Sequence, residues 1–126
     1  AQIIGLLKNL QTQMGLSMLF ISHDLSVVRS LTDTVVVMYK GRVVEQAPTG
    51  EIFTNPRHPY THSLLDAIPV TNPRDRRHRT FLQPADIDRA TPHYSAADLP
   101  DHVTPAADPQ LVAVAPGHFV EAVVTR

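Results

Sequence analysis

Apolar positions at the start of the chain follow a helical period, and then the pattern changes. Steps of three and four residues predict a helix with one apolar face, made by Ile3, Leu6 or Leu7, Leu10 and Met14. Gly15 is typical of the left-handed residue that ends a helix. Residues 17–21 form a short apolar run with polar residues beside it, which predicts a strand buried on both faces of a mainly parallel sheet.

A second short helix is predicted directly after this run by Leu25, Val28 and Leu31, with Asp24 in its first turn. Helix, strand and helix in this order predict an α/β fold with a right-handed crossover. The end of the strand would lie at the carboxyl edge of the sheet, where open α/β sheets bind ligands. His23 follows the strand, and we therefore expect its imidazole to face that edge.

The middle of the chain predicts a hairpin and two short helical segments. Two β-branched runs, residues 34–39 and 42–46, flank Lys40-Gly41, a pair suited to a tight turn. Residues 51–53 are compatible with a single helical turn. Pro59 is suited to the first position of a helix that runs to about Ala67.

Beyond Pro69 the periodicity weakens. Residues 72–79 are rich in arginine, and residues 80–109 are rich in Pro, Ala, Asp and Thr. We expect an extended, partly ordered tail that closes with one hairpin, formed by residues 111–114 and 118–124.

Composition limits the possible functions. The 126 residues hold 11 Lys and Arg against 12 Asp and Glu, which argues against a dedicated nucleic-acid binder. The absence of cysteine excludes disulfides and thiolate sites. No apolar run approaches the roughly 20 residues needed to span a bilayer, and no basic stretch followed by an apolar region marks these residues for secretion. The chain begins inside a helical pattern without an initiator methionine, so we expect a C-terminal piece of a longer intracellular protein.

Three groups of residues could carry chemistry. His23 beside a bound phosphate could help to order an attacking water, although a histidine bonded to neighbouring backbone explains the same position. Ser22, His23 and Asp24 are unsuited to a hydrolytic triad, because the side chains of adjacent residues diverge. His58 and His62 have the spacing of two metal ligands on a helix, but Pro59 places His58 at the helix boundary, which favours a surface or capping role.

A basic cluster lies downstream, made by Arg74, Arg76, Arg77 and Arg79 together with His78. It could contact phosphate or lipid headgroups, but a short charged run is more often simply solvated. Neither GxxxxGK[ST] nor GxGxxG occurs, so these residues hold no phosphate loop of their own.

Four stretches resemble motifs of ABC transporter ATPase subunits, in the order of that family. LFISHDLSVV at residues 19–28 resembles the switch-histidine segment (H-loop), and VMYKGRVVE at residues 37–45 resembles the stretch that follows it. NPRHPYT at residues 55–61, with Leu64-Leu65, resembles the signature of the oligopeptide/dipeptide importers, and VAPGHFV at residues 114–120 resembles their terminal motif.

The resemblance implies the C-terminal part of an ABC-type P-loop ATPase domain with a small extension. It divides the chain into the end of the nucleotide-binding domain (residues 1–47), the importer extension (48–69) and a Pro/Ala-rich tail (70–126). The intact subunit would hydrolyse ATP with Mg²⁺ and drive uptake of peptides or related solutes, and His23 would contact the γ-phosphate. Its partners would be the permease, a second ATPase subunit and, indirectly, a solute-binding protein. It would lie on the cytoplasmic face of the inner membrane as a peripheral subunit.

The chain also departs from the family. The phosphate loop, the signature motif and the Mg²⁺-binding carboxylates lie upstream in the family, so the 126 residues alone should not hydrolyse ATP. Cysteines that some members carry in the extension are absent, and no iron–sulfur cluster is expected. Two other hypotheses stay open at this point, a non-catalytic regulatory or partner-binding module and a small metal protein based on His58 and His62.

Overall fold

The computed structural model describes residues 2–68, 83–100 and 103–126. The helices in these ranges are α1 (Gln2–Met14), α2 (Leu25–Leu31), α3 (Thr49–Thr54), α4 (Pro59–Asp66) and α5 (Pro84–Arg89), with a short 3₁₀ helix at Ala96–Asp98. The strands are β1 (Thr34–Tyr39), β2 (Arg42–Pro48), β3 (His93–Ser95), β4 (Ala106–Ala115) and β5 (His118–Thr125). The fold class is therefore confirmed as helices with a sheet. The basic cluster at residues 74–79 lies outside the described residues.

The first helix is confirmed, but its apolar face is largely exposed to solvent. α1 is followed by Gly15 in the left-handed region at φ +60°, as a helix end of this kind requires. α1 has no buried residue, and Ile3 on its apolar face is 72% exposed. Contacts between α1 and α2 leave most of that apolar face open to solvent.

The strand predicted at residues 17–21 is not formed in the 126-residue chain by itself. The segment has no regular structure, and Leu19 and Ile21 are 91% and 96% exposed. A buried central strand needs hydrogen-bonded neighbours on both of its edges. None of the described strands pairs with this segment, so the parallel α/β unit with its crossover is not formed by these residues.

The predicted β1–β2 hairpin is confirmed, with Lys40 and Gly41 at its tip. Both residues have positive φ, +49° and +76°. A two-residue turn with positive φ at both positions matches the right-handed twist of the strands that it joins. Glycine adopts this conformation freely, whereas Lys40 is strained there.

Gly41→Ala is expected to lower the free energy of unfolding by about 1–2 kcal/mol, the cost of left-handed backbone for a residue with a Cβ. A Cβ at Gly41 would meet no atom within 4 Å, so the loss would come from the backbone alone. Gly50→Ala is the matched control, because Gly50 lies in α3, has no positive φ and is equally open. Urea unfolding of both variants measures the difference. An equal stability of the Gly41→Ala and Gly50→Ala chains would contradict the argument.

A bulge in β2 changes which side chains are buried. Val37 lies opposite Glu45 and Met38 opposite Val43, which leaves Val44 as the extra residue. Because the bulge interrupts the alternation of the strand, the consecutive residues Val44 and Glu45 are both fully buried.

The C-terminal hairpin is confirmed and extends the same sheet. β4 and β5 are longer than predicted and are joined at Pro116-Gly117, where Gly117 has φ +70°. β5 pairs with β2 through only two residue pairs, Glu45 with Val120 and Gln46 with Phe119. Further along, the same edge of β5 pairs in parallel with β3, while β4 covers the other edge.

The expectation of an extended tail is wrong for much of the described part of residues 83–109. α5, β3 and the 3₁₀ helix lie there, and Ile87 and Leu99 are buried. These elements have three to six residues each, too few to display a period in the sequence. β3 is held by its pairing with β5, and α5 by the burial of Ile87 and by ion pairs of Asp88 with Lys40 and Arg42.

Two apolar clusters lie at opposite ends of the sheet. One joins the first hairpin to α3, and its buried members are Val35, Val37, Val44, Ala47 and Ile52. The other lies around the C-terminal hairpin, with buried members Leu99, Val112, Val120, Ala122 and Val124. The pairing of β2 with β5 joins the two halves into one sheet. The proposed division of the chain at residues 47 and 69 stays a prediction.

Candidate functional site

His23 lies in a bend just before α2, and its side chain is exposed. The neighbouring Asp24 is the N-cap of α2, whose carboxylate accepts hydrogen bonds from the N–H groups of Ser26 (3.0 Å) and Val27 (3.4 Å). The hydroxyl of Ser22 accepts from the N–H of Asp24 at 3.0 Å. Ser22 and Asp24 are thus both bonded to the local backbone, which argues further against a triad with His23.

The other end of α2 is held by α3. The hydroxyl of Thr49 donates to the carbonyl of Thr32 at 2.7 Å and lies 3.0 Å from the hydroxyl of Thr32. The guanidinium of Arg29 lies 5.3 Å from the centre of the Phe53 ring, within cation–π distance. The helix after His23 is therefore fixed at its start by a cap and at its end by α3.

A buried polar cluster centred on Glu45 was missed by the sequence analysis. Oε1 of Glu45 accepts from the N–H groups of Arg57 (3.1 Å) and His58 (2.9 Å). Oε2 accepts from the same N–H of Arg57 at 2.9 Å and lies 2.5 Å from Nε2 of His118. Glu45 has no exposed surface, and His58 and His118 are also buried.

The donors around Glu45 suit a carboxylate rather than a neutral acid. N–H groups point at both oxygens, and a protonated carboxyl would direct its own O–H at one of them. A buried charge is tolerated only when such donors replace water. Nδ1 of His118 is buried without a hydrogen-bond partner among the described residues, so the imidazole is held through Nε2 alone.

The sequence contained two signals for this cluster. Glu45, His58 and His118 each lie inside a stretch that resembles a motif of the same importer family. An ionisable residue at the end of a β-branched strand also needs an explanation, since a charge inside a sheet requires partners. Strand alternation alone could not show that three distant segments meet at one carboxylate.

His58 and His62 do not form a metal pair. His58 is the buried N-cap of α4, and its Nδ1 accepts from the N–H of Tyr60 at 3.1 Å. His62 is exposed and lines an open groove of about 440 Å³ between α4 and the end of α5, together with Asp66. In the three described ranges no group of three or more His, Asp or Glu side chains is arranged to hold a metal ion. The capping role predicted as the alternative is the one observed for His58.

The pKa of His58 is lowered from the ordinary value of 6.5. Burial is the largest cause, the negative Glu45 opposes it, and the positive Arg42 adds to the lowering. A neutral imidazole is also what the cap requires, because a protonated Nδ1 could not accept from Tyr60.

Acidification below pH 6.5 is therefore expected to destabilise the chain through His58. The unfolded chain takes up a proton there that the folded chain resists, so stability falls as the pH falls towards the lowered pKa, by at most about 1.4 kcal/mol per pH unit for one proton. His58→Asn keeps a capping acceptor but cannot titrate. Its unfolding free energy should depend less on pH between 5 and 6.5 in urea titrations. His62→Asn is the control, and equal slopes in wild type and His58→Asn would contradict the expectation.

Ion pairs hold α5 against the first hairpin. Arg42 lies 3.4 Å from Glu121 and 3.6 Å from Asp88, and Lys40 lies 3.3 Å from Asp88. The carboxylate of Asp88 raises the pKa of Lys40, and the nearby Tyr39 adds to that. Asp88 and both cations are largely exposed, so these pairs contribute less than the buried contacts of Glu45.

None of the helices in the described ranges has the length and apolar character needed to cross a membrane.

The sequence is similar to one known protein family and to several ATP-binding proteins of importers. The sequence profile of a family described as "Oligopeptide/dipeptide transporter, C-terminal region" matches residues 44–92. The dipeptide transport ATP-binding protein DppF of Escherichia coli K12 is 57% identical over 82 residues, which cover 65% of this chain and 25% of that protein. The oligopeptide transport ATP-binding protein AmiF of Streptococcus pneumoniae is 41% identical over 120 residues, covering 95% of this chain and 35% of that protein.

A third relative has a different named solute. The glutathione import ATP-binding protein GsiA of Salmonella choleraesuis is 44% identical over 119 residues, covering 94% of this chain and 18% of that protein. This chain thus spans only a quarter to about a third of the length of the first two relatives.

Proposed function

Because the chain belongs to the C-terminal region of the oligopeptide/dipeptide transport ATP-binding proteins, we propose that it completes the ATP-hydrolysing subunit of an ABC importer. Such a subunit couples ATP hydrolysis to the uptake of peptides or related solutes. The named solutes of the relatives are dipeptides, oligopeptides and glutathione, so the solute of this importer is proposed only as a class.

The observation that carries the proposal is the exposure of Leu19 and Ile21, directly before His23. A continuous apolar run in which Leu19 and Ile21 are almost fully exposed requires a partner surface. The remainder of an ATP-binding domain would supply neighbouring strands on both sides of residues 17–21. His23 would then lie at the carboxyl edge of that sheet, where α/β proteins bind phosphate ligands.

We assign His23 the role of the switch histidine, which donates a hydrogen bond to the γ-phosphate of ATP. Its exposed side chain is free to reach a ligand, and the Asp24 cap fixes the backbone that follows it. Such a donor stabilises charge that develops on the phosphoryl oxygens and helps to position the attacking water.

Most of the nucleotide site lies elsewhere in the subunit under this proposal. Mg²⁺ prefers carboxylate oxygens, and the described residues offer no acidic cluster for it. Its ligands and the phosphate loop would come from residues outside this region. The 126 residues lack cysteine, so they cannot supply thiolates to an iron–sulfur cluster.

We further propose that the subunit is peripheral, bound to permease subunits at the cytoplasmic face of the membrane. It would pair with a second ATPase subunit, identical or related, so that ATP is held between the two. A solute-binding protein would interact with it only indirectly, through the permease. Within the chain, residues 1–47 would belong to the nucleotide-binding domain, 48–69 to the importer extension and 70–126 to a terminal tail with the hairpin.

The test compares the complete subunit with the 126-residue chain. The complete subunit is expected to hydrolyse Mg-ATP and to co-purify with the permease, whereas the chain alone should do neither at a measurable rate. The coding sequence of the complete subunit should also contain GxxxxGK[ST]. A complete subunit without a phosphate loop and without nucleotide binding would overturn the proposal in favour of a non-catalytic partner-binding module.

A further inference from the structure

We propose that Glu45 is a shared anchor that couples docking of the C-terminal hairpin to the ordering of the backbone at Arg57 and His58. The hairpin is β4–β5, and the coupled backbone is the turn that enters α4. The inference rests on the geometry of the buried carboxylate and is independent of the transport function.

Three separate segments meet at the Glu45 carboxylate. Arg57 and His58 reach it from the turn before α4 through their N–H groups, and His118 reaches it from the start of β5 through its imidazole. Glu45 itself lies 73 residues before His118 and 12 before Arg57. Four contacts reach the carboxylate, two on each oxygen, and they come from three donor groups. The loss of any one group leaves an oxygen with fewer hydrogen bonds.

The hairpin has few other polar attachments to β2. Only two residue pairs join β2 to β5, and one of them contains Glu45. The nearby Arg42–Glu121 pair is more exposed, since the Arg42 side chain keeps half of its accessible surface. The bond between Glu45 and His118 is thus the fully buried side-chain polar contact between the hairpin and β2.

The charged groups around the carboxylate explain why its partners depend on one another. His118 lies on β5, His58 lies at the start of α4, and Arg42 lies on the same strand as Glu45. Arg42 is occupied by Glu121 and Asp88. If the His118 side chain moves away, only the N–H groups of Arg57 and His58 still donate to the Glu45 carboxylate. Two donors are too few for a buried charge. The carboxylate then has to turn towards water, and both N–H groups lose their acceptor.

The same argument holds in the other direction. If the turn before α4 opens, the carboxylate keeps only His118 and its burial becomes unfavourable, which weakens docking of the hairpin. Such reciprocity is required of any two contacts that stabilise each other through one group. The consequence is that a ligand or partner which moves the C-terminal hairpin also alters the start of α4.

The experiment is amide hydrogen exchange, followed by NMR on the full 126-residue chain. His118→Leu removes the donor from β5 and is expected to speed exchange at the N–H groups of Arg57 and His58 by about tenfold or more. His118→Gln offers a side-chain N–H near the position of Nε2 and should restore most of the protection.

Phe119→Leu is the matched control. Phe119 lies in the same strand and opposite Gln46, but it makes no hydrogen bond to Glu45. It should leave exchange at Arg57 and His58 within about twofold of wild type, because the carboxylate keeps all of its donors.

Three results would overturn the proposal. One is unchanged exchange at Arg57 and His58 in His118→Leu, and another is an equal effect of Phe119→Leu. The third is loss of protection throughout the β1–β2 hairpin in His118→Leu, since that would reveal general unfolding instead of a coupling between two sites.

Discussion

Glu45→Ala is expected to lower the free energy of unfolding by about 3–5 kcal/mol, the range for breaking a buried charged network by removal of one partner. The substitution leaves the N–H groups of Arg57 and His58 and the imidazole of His118 buried without an acceptor. An unpaired buried donor costs more than the net gain from forming its hydrogen bond. The decrease in unfolding free energy should therefore be several times larger than that caused by removing an ordinary surface contact.

Glu121→Ala is the matched control for this variant. Glu121 is also a largely buried glutamate on the same sheet, but its partner Arg42 is half-exposed and can return to water. We expect a loss of at most about 1 kcal/mol there. Urea denaturation, monitored by circular dichroism, measures the unfolding free energy of both variants. An equal dependence of that free energy on urea concentration checks that both unfold in two states. A similar decrease in unfolding free energy in both variants would contradict the stabilising role assigned to the buried Glu45 carboxylate.

His23→Ala in the complete ATP-binding subunit is expected to lower kcat by about 10²–10³, the usual effect of losing one donor to transition-state charge. The dissociation constant for ATP should change by no more than about threefold, since the histidine acts mainly on the reacting phosphate. The Asp24 cap does not involve His23, so the start of α2 should survive the substitution.

Steady-state hydrolysis and equilibrium nucleotide binding separate the two effects. His62→Ala is the control, because His62 is an exposed histidine in α4 that lies outside the proposed nucleotide site. Unchanged turnover in His23→Ala, or an equal loss in His62→Ala, would remove His23 from the catalytic site.

Elements whose stability is local could be predicted from the sequence. The β1–β2 turn is specified by two residues, Lys40-Gly41, and α1 by a regular apolar period followed by Gly15. α4 was predicted from Pro59, since proline at the first position of a helix needs no hydrogen-bonded N–H. In each case the signal and the structure occupy the same few residues.

Predictions that depended on distant partners were less successful. Residues 17–21 have the composition of a buried strand, but composition does not supply the neighbouring strands. β3 is held by its pairing with β5 and α5 by ion pairs with the first hairpin, so their own residues carry little signal. The cluster at Glu45 depends on an approach between β2 and β5 that no local pattern encodes. The role of His23 stays a prediction for the same reason, because the groups that would act with it lie in other parts of the subunit.

The narrow contact between β2 and β5 has a consequence for protein engineering. Each half of the chain holds its own apolar cluster, and the strand seam between the halves has Glu45 on one side and His118 on the other, with the ion pairs of Asp88 beside it. This arrangement is suited to fragment complementation, in which residues 1–68 and 69–126 are produced as separate polypeptides. Reassembly would then form the Glu45–His118 contact with one partner from each fragment. A single substitution at either residue is therefore expected to weaken reassembly of a split reporter.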